Sequence, residues 1–129
     1  MGKKDTDDFV VKVTDKKQTF TTGMVRGDTT GKPRPDLISP LFMKRLGAHM
    51  RKGAEHYGDR NWEKGQPISR ALESLCRHVE DFKEGMTDED HLAAIAFNTM
   101  IIIHYQELIK RGLLPAAYND LPSYVTPDK

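Results

Sequence analysis

The stretch Thr87–Leu108, TDEDHLAAIAFNTMIIIHYQEL, decides how the chain folds. Thr87 with Asp90 three residues later reads as a helix start resembling a capping box. Asp88 and Glu89 add acid to the first turn, where the helix dipole favours it. Leu92–Phe97 is an unbroken apolar run and Met100–Ile103 a second, so apolar side chains fall on nearly every face. A helix of that kind must be covered on most sides. His91, Asn98 and Tyr105 interrupt it at seven-residue intervals and therefore line up along one edge. Such a polar stripe is either a set of satisfied buried hydrogen bonds or the wall of a binding site.

Upstream, a helix is expected from about Ser69 to Glu84, with Gly85 just past its end. Leu72, Leu75, Cys76, Val79 and Phe82 form its apolar stripe, in which the single cysteine reads as core filler. Arg70, Glu73, Arg77 and Asp81 flank that stripe, and His78 stands at its edge. The Gly85–Met86 link is so short that the two helices should pack as an antiparallel αα-hairpin. His78 lies seven residues before Gly85 and His91 six after it, which places the two imidazoles at similar heights. Facing each other, with Asp81, Glu89 or Asp90 close by, they suit a divalent metal or, when protonated, a phosphate. Arg77 and Asn98 would supply further donors.

A first helix starts at Ser39 as N-cap with Pro40 in its first turn and ends near Tyr57–Gly58. Phe42, Leu46, His49 or Met50, and Gly53 recur along it at helical spacing. The loop that follows, GDRNWEKGQP (residues 58–67), holds the only tryptophan. Trp62 can stack a base or cover an apolar pocket, Asn61 can read a base edge, and Arg60 and Lys64 can take phosphate. The alternative is a loop pinned to the core by its indole, and for Trp62 alone that is the preferred reading.

At the N-terminal end, residues 1–8 are expected to be disordered, and Phe9–Val13 with Gln18–Thr22 could form a small hairpin. Gly23–Asp36 reads as a loop or arm in which GKPRPD (31–36) presents Lys32 and Arg34, either as a solvated connector or to contact phosphate. Lys110 and Arg111 suit the C-terminal end of the last helix, and Gly112 closes it. Residues 113–129, with three prolines, should run along the surface or reach a neighbouring subunit. The expected organisation is a tail or hairpin over 1–22, a helical nucleotide-binding domain over 23–114 and an extended tail over 115–129.

Length and composition agree with one modest domain: 129 residues, 30% charged, net charge +1. That balance offers no bulk field for a nucleic-acid polymer or a membrane surface. One cysteine excludes an internal disulfide and every multi-cysteine zinc pattern. The start, MGKKDTDD, lacks an apolar leader, and the longest apolar run is too short to span a bilayer, so a cytoplasmic setting is expected. The fold class read from these elements is all-α: a three- to four-helix bundle with an N-terminal arm. The surplus hydrophobicity of the last helix points to a homo-oligomer that completes it.

Several segments together resemble one family: TGMVRGDTTGKPRPDLISP (22–40), KGAEHYGDRNWEKGQPISR (52–70), the pair Arg77–His78, and EDHLAAIAFN (89–98). The chain is similar, from about Thr22 to Leu114, to the small phage-associated proteins of the dATP/dGTP diphosphohydrolase N-terminal domain family. That resemblance implies hydrolysis of a purine deoxynucleoside triphosphate to monophosphate and pyrophosphate. Matching positions include Lys52, Tyr57, Arg60, Asn61, Trp62, Lys64, Arg70, Arg77 and Asn98, expected to bind the nucleotide. His78, Asp90 and His91 are expected to hold a divalent metal (Mg²⁺ or Mn²⁺), with Glu89 or Asp81 taking a proton from the attacking water. Other all-α nucleotide pyrophosphohydrolases hold Mg²⁺ with four carboxylates on paired helices; Glu80, Asp81 and Glu84 are spaced differently, and histidine suits Mn²⁺ better. The competing expectation is a binder without turnover, which would sequester a nucleotide or a nucleotide-derived defence signal using the same cations, amide and aromatic.

Overall fold

The computed structural model describes residues 16–125, and the expected disorder of residues 1–8 and the expected strand Phe9–Val13 lie outside the described residues. The chain divides into two compact units, Met1–Ile38 and Ser39–Lys129. In the first, β1 (Lys17–Thr19) pairs antiparallel with β2 (Val25–Gly27), Gln18 opposite Arg26. The amide of Gly23 closes the turn on the Phe20 carbonyl at 2.8 Å, and Gly23 takes φ 93°, which a side chain would resist. The strand partner of the Gln18 segment is thus Val25–Gly27, inside the stretch read as a loop. The glycines around it masked a β-branched residue that a left-handed turn brings back into register. Arg34 grips Asp36 through two bonds of 2.9 and 2.8 Å, so its guanidinium already has an anion.

The second unit is built on three helices: α1 (Pro40–Tyr57), α2 (Ile68–Lys83) and α3 (His91–Lys110). The chain is mostly helical, with the small hairpin as its β element among the described residues. α1 begins as its sequence dictates: Ser39 Oγ accepts the Phe42 amide at 3.2 Å, and Pro40 needs no partner for a missing N–H. α2 has Pro67 at its N-cap, which offers no side-chain acceptor. Asp120 supplies one from 51 positions downstream, accepting from the Ser69 amide at 2.9 Å and the Ser69 hydroxyl at 2.5 Å. The C-terminal segment is therefore clipped onto the start of α2. Beside the clip, Gly65 takes φ 102°, and a Cβ there would meet Leu114 Cδ1 at 3.0 Å, so the segment and the loop approach as closely as glycine permits. Asp120→Ala should lower Tm by a few degrees, as loss of a helix cap does in a chain of this size, read by a melt followed at the helical circular-dichroism band.

α3 starts later than Thr87. Asp90 is its N-cap, accepting the Ala93 amide at 3.1 Å. The physical reason is the reversal after α2: Gly85 adopts φ 82° and the Met86 amide returns to the Asp81 carbonyl, so Thr87–Glu89 are used up in turning the chain. At the other end Gly112 (φ 74°) ends α3 as expected.

The core sits on the α2–α3 seam, where Ile68 and Ala71 meet Ile101 and Tyr105, all within 1% of full burial. Trp62, Phe97 and Met100 pack against this cluster. The buried side of α2 therefore follows Ile68, Ala71, Leu75 and His78 rather than the expected stripe. Leu72 stays 37% exposed, Phe82 49%, and Cys76 is exposed instead of filling the core. Two helices this close need a small side chain between them, and Ala71 rather than Leu72 supplies it. α1 lies against α3, where His49 packs on Phe97 with ring centroids 5.1 Å apart. By length and composition α3 is long and apolar enough to cross a bilayer, but His91, Asn98 and Tyr105 are buried among protein atoms, as in a core helix.

Candidate functional site

The polar line of α3 resolves residue by residue. Asn98 donates from Nδ2 to its own helix, to the Ala94 carbonyl at 2.9 Å. Tyr105 donates its hydroxyl to the Trp62 carbonyl and so ties the 58–67 loop to the core. Both are satisfied structural bonds. His91 differs. It is 3% exposed, and both ring nitrogens are engaged, Nε2 by Asp88 Oδ1 at 2.9 Å and Nδ1 by Nδ1 of His78 at 2.9 Å. The antiparallel hairpin does bring the two imidazoles together, their centroids 5.2 Å apart and their planes at 46°.

Two Nδ1 atoms that face each other at 2.9 Å hold one proton between them, one ring donating and the other accepting. The hydrogen bond that His91 donates to the Asp88 carboxylate raises the His91 pKa, while the same bond holds Asp88 below the usual carboxylate range. The geometry also suits a metal. Two nitrogens bound to one ion at about 2.1 Å stand about 3 Å apart at the right angle of an octahedral site and about 3.4 Å apart at the tetrahedral angle, and the pair, at 2.9 Å, is nearer the former. Asp81 offers a carboxylate oxygen within 4.8 Å of both imidazoles, making two histidines and one carboxylate. Asp88 on the far nitrogen of His91 is the outer partner that ligating histidines commonly have, fixing tautomer and ring orientation. The residues present thus fit a divalent transition metal better than Mg²⁺, which favours oxygen donors.

A pocket of about 890 Å³ opens between the C-terminal half of α1, the 58–67 loop and the start of α3. Lys52, Tyr57, Arg60, Asn61 and Trp62 line it, as the sequence suggested for a nucleotide site, together with Glu89 and Asp90. Glu89 joins pocket and histidine pair, because its carboxylate also lies within 4.8 Å of a ring nitrogen of His91. Arg60 is the one non-glycine among the described residues with positive φ (60°), and it pairs with Glu63. Sequence reasoning passed over Arg45, His49 and Phe97, which also face the pocket. His49 was assigned only a packing role. Burial lowers its pKa, against the opposing pull of Glu89. The signal for Arg45 was its seven-residue distance from Lys52 on the same helix face.

Other expected residues stand elsewhere. Asp90 does not join the two imidazoles. Its carboxylate is held by Arg45 through bonds of 2.9 and 2.6 Å and also caps α3. Arg70 and Arg77 share Glu73 (3.5 and 3.0 Å) and the Ser74 hydroxyl on the exposed side of α2, and neither lines the pocket. Lys64 is exposed and outside the pocket lining as well.

The Arg45 clamp holds the Asp90 carboxyl well below the usual range, at about 2. A depressed carboxyl stabilises the fold at every pH above its ordinary value, and that contribution is lost as pH falls through the ordinary value toward the depressed one. The advantage of wild type over Asp90→Asn, which keeps a capping oxygen, should therefore be constant near neutrality and vanish between about pH 4 and pH 2. Both side chains are partly exposed (61% and 34%), so the plateau should be no more than about 1 kcal/mol. Paired thermal melts across that range measure it.

Residues 22–112 match the family profile described as dATP/dGTP diphosphohydrolase, N-terminal. The chain belongs to this family. The match spans β2, all three helices and the whole 58–67 loop, so the pocket and the histidine pair both lie inside it. No curated protein and no solved structure gives a significant match.

Proposed function

We propose that the helical unit binds a purine (deoxy)nucleoside triphosphate and hydrolyses it to the monophosphate and pyrophosphate, with a divalent metal held by His78, Asp81 and His91. The observation that supports this most is the opposed Nδ1 pair at 2.9 Å, backed by Asp88 and joined through Glu89 to a pocket that carries cations and aromatic rings. When bound, the metal supplies Lewis-acid neutralisation of phosphate charge.

The chain supplies the rest. Trp62 and Tyr57 present aromatic surface to the base, and Asn61 offers an amide to its edge. Lys52 and Arg60 neutralise phosphate oxygens, and the carboxylate of Glu89 accepts the proton of the attacking water. Water forms a bond to the α-phosphorus, the bond from that phosphorus to the bridging oxygen breaks, and pyrophosphate leaves with the electron pair. A volume of about 890 Å³ accommodates a nucleotide.

The engagement of Asp90 by Arg45 leaves Asp81, among the described residues, as the one carboxylate grouped with both imidazoles, and this favours a second reading, capture of a nucleotide without turnover. Incubation with each purine triphosphate and Mn²⁺ or Mg²⁺, followed by chromatography of the products, separates the two. Metal-dependent release of pyrophosphate and monophosphate is expected. Tight binding of unaltered ligand in the presence of chelator would replace the first reading by the second.

A further inference from the structure

The α2–α3 hairpin has two broad sides, and α1 packs on one of them, against α3. The seam between the helices runs through Ile68, Ala71, Leu75 and His78 on α2 and through His91, Ala94, Asn98, Ile101 and Tyr105 on α3. Residues one position further along each helix are rotated by about 100° from it. Because the helices are antiparallel, the same rotation carries both sets to the same side of the hairpin. On α2 they are Leu72, Cys76 and Val79; on α3 they are Leu92, Ile95, Thr99 and Ile102, with Ile103 alongside. Phe97, which meets His49 of α1, lies on the opposite side of the seam. The far side is partly bare: Leu72 is 37% exposed, Leu92 43% and Ile103 55%, while Val79, Ile95 and Ile102 are half-buried.

We propose that this face is where a second copy of the chain docks, hairpin against hairpin, to close a four-helix layer. Three features choose that occupant. The rows repeat at alternating three- and four-residue spacing, the pattern that another helix pair meets by knobs-into-holes packing. Their side chains carry no carboxylate, guanidinium or ammonium; Lys83, next in the α2 row, stands at the end of the helix with its ammonium held by Glu80 at 3.1 Å, so a symmetric contact centred on the rows buries no unpaired charge. The size also fits. Helices of 16 and 20 residues are about 24 and 30 Å long, and side by side they present roughly 500 Å² in projection. Two copies then bury on the order of 1,000 Å², the lower limit for a specific interface. The proposal does not depend on whether the protein turns over triphosphate.

Sedimentation of the full chain tests it. Wild type should run at twice the 14.7 kDa chain mass. Leu92→Glu/Ile103→Glu should run as a monomer with unchanged helical circular dichroism, since both side chains are already exposed in the single copy. Thr99→Lys, in the middle of the row, provides a second variant should the first lose helix content. Cys76 lies in the face, so its thiol should react with a disulfide reagent at least about tenfold more slowly in wild type than in the monomeric variant. Leu41→Glu, on α1, should leave the assembly intact. A monomeric wild type, a dimer indifferent to both face variants, or flotation of wild type with neutral vesicles would each overturn the proposal.

Discussion

His91→Ala is expected to abolish divalent-metal binding and, with it, metal-dependent turnover of purine triphosphate. The imidazole offers Nδ1 to the shared position opposite His78 and is oriented there by Asp88 at 2.9 Å. Removing an outer partner of a metal ligand typically lowers affinity 10- to 100-fold, so loss of the ligand itself should exceed about 100-fold, and Asp88→Asn should fall within that range. Titration calorimetry with Mn²⁺ reads both. The metal must displace the proton between the rings, and the bond donated to Asp88 raises the His91 pKa, so affinity should climb as pH rises through the imidazole range. A His91→Ala protein that binds Mn²⁺ like wild type would reduce the pair to a structural hydrogen bond. Helical circular dichroism must be unchanged for that comparison to count, because His91 is 3% exposed.

The largest stability effect should come from Ile101→Ala. Ile101 is 0% exposed and sits in the cluster with Ile68, Ala71 and Tyr105. Truncating a fully buried isoleucine loses the transfer free energy of its methyl and methylene groups and leaves a cavity, together about 2–5 kcal/mol. For a chain of this length that lowers Tm by roughly 10 °C, a large share of a marginal total. Ile103→Ala offers the contrast. It is two residues along the same helix and 55% exposed, so it should cost well under about 1 kcal/mol in the single copy. A chemical-denaturation series on the two variants, at protein concentrations low enough to keep single copies, checks both numbers. Equal losses would contradict the assignment of the seam.

Much of this molecule could be read from local signals. Ser39 followed by Pro40 fixed the start of α1, and Gly85 with Met86 fixed the antiparallel hairpin, because caps and glycine turns act within a few residues. Counting outward from that hairpin was enough to bring His78 and His91 to one height. Long-range partners were not legible. Nothing around Asp90 reveals that Arg45, 45 positions earlier, will hold its carboxylate, nor that Asp120 will serve a helix whose own N-cap is proline. The α2 stripe was misplaced by one position, since Leu72 and Ala71 are both apolar and only the distance between helices selects the smaller. Val25 was hidden among glycines, and its pairing with Thr19 depends on a turn conformation that composition does not express.

The loop that walls the pocket is anchored at several separate places. Tyr105 holds its middle, Leu114 and Tyr118 press on Gly65, and Asp120 secures the helix into which it runs. Its shape is therefore set when the chain folds, before any ligand arrives, and recognition at Trp62 and Asn61 should proceed as a lock meeting its key. A cut in the polypeptide just ahead of Asp120 would be felt at the mouth of the cavity, although the severed piece never touches whatever is bound there.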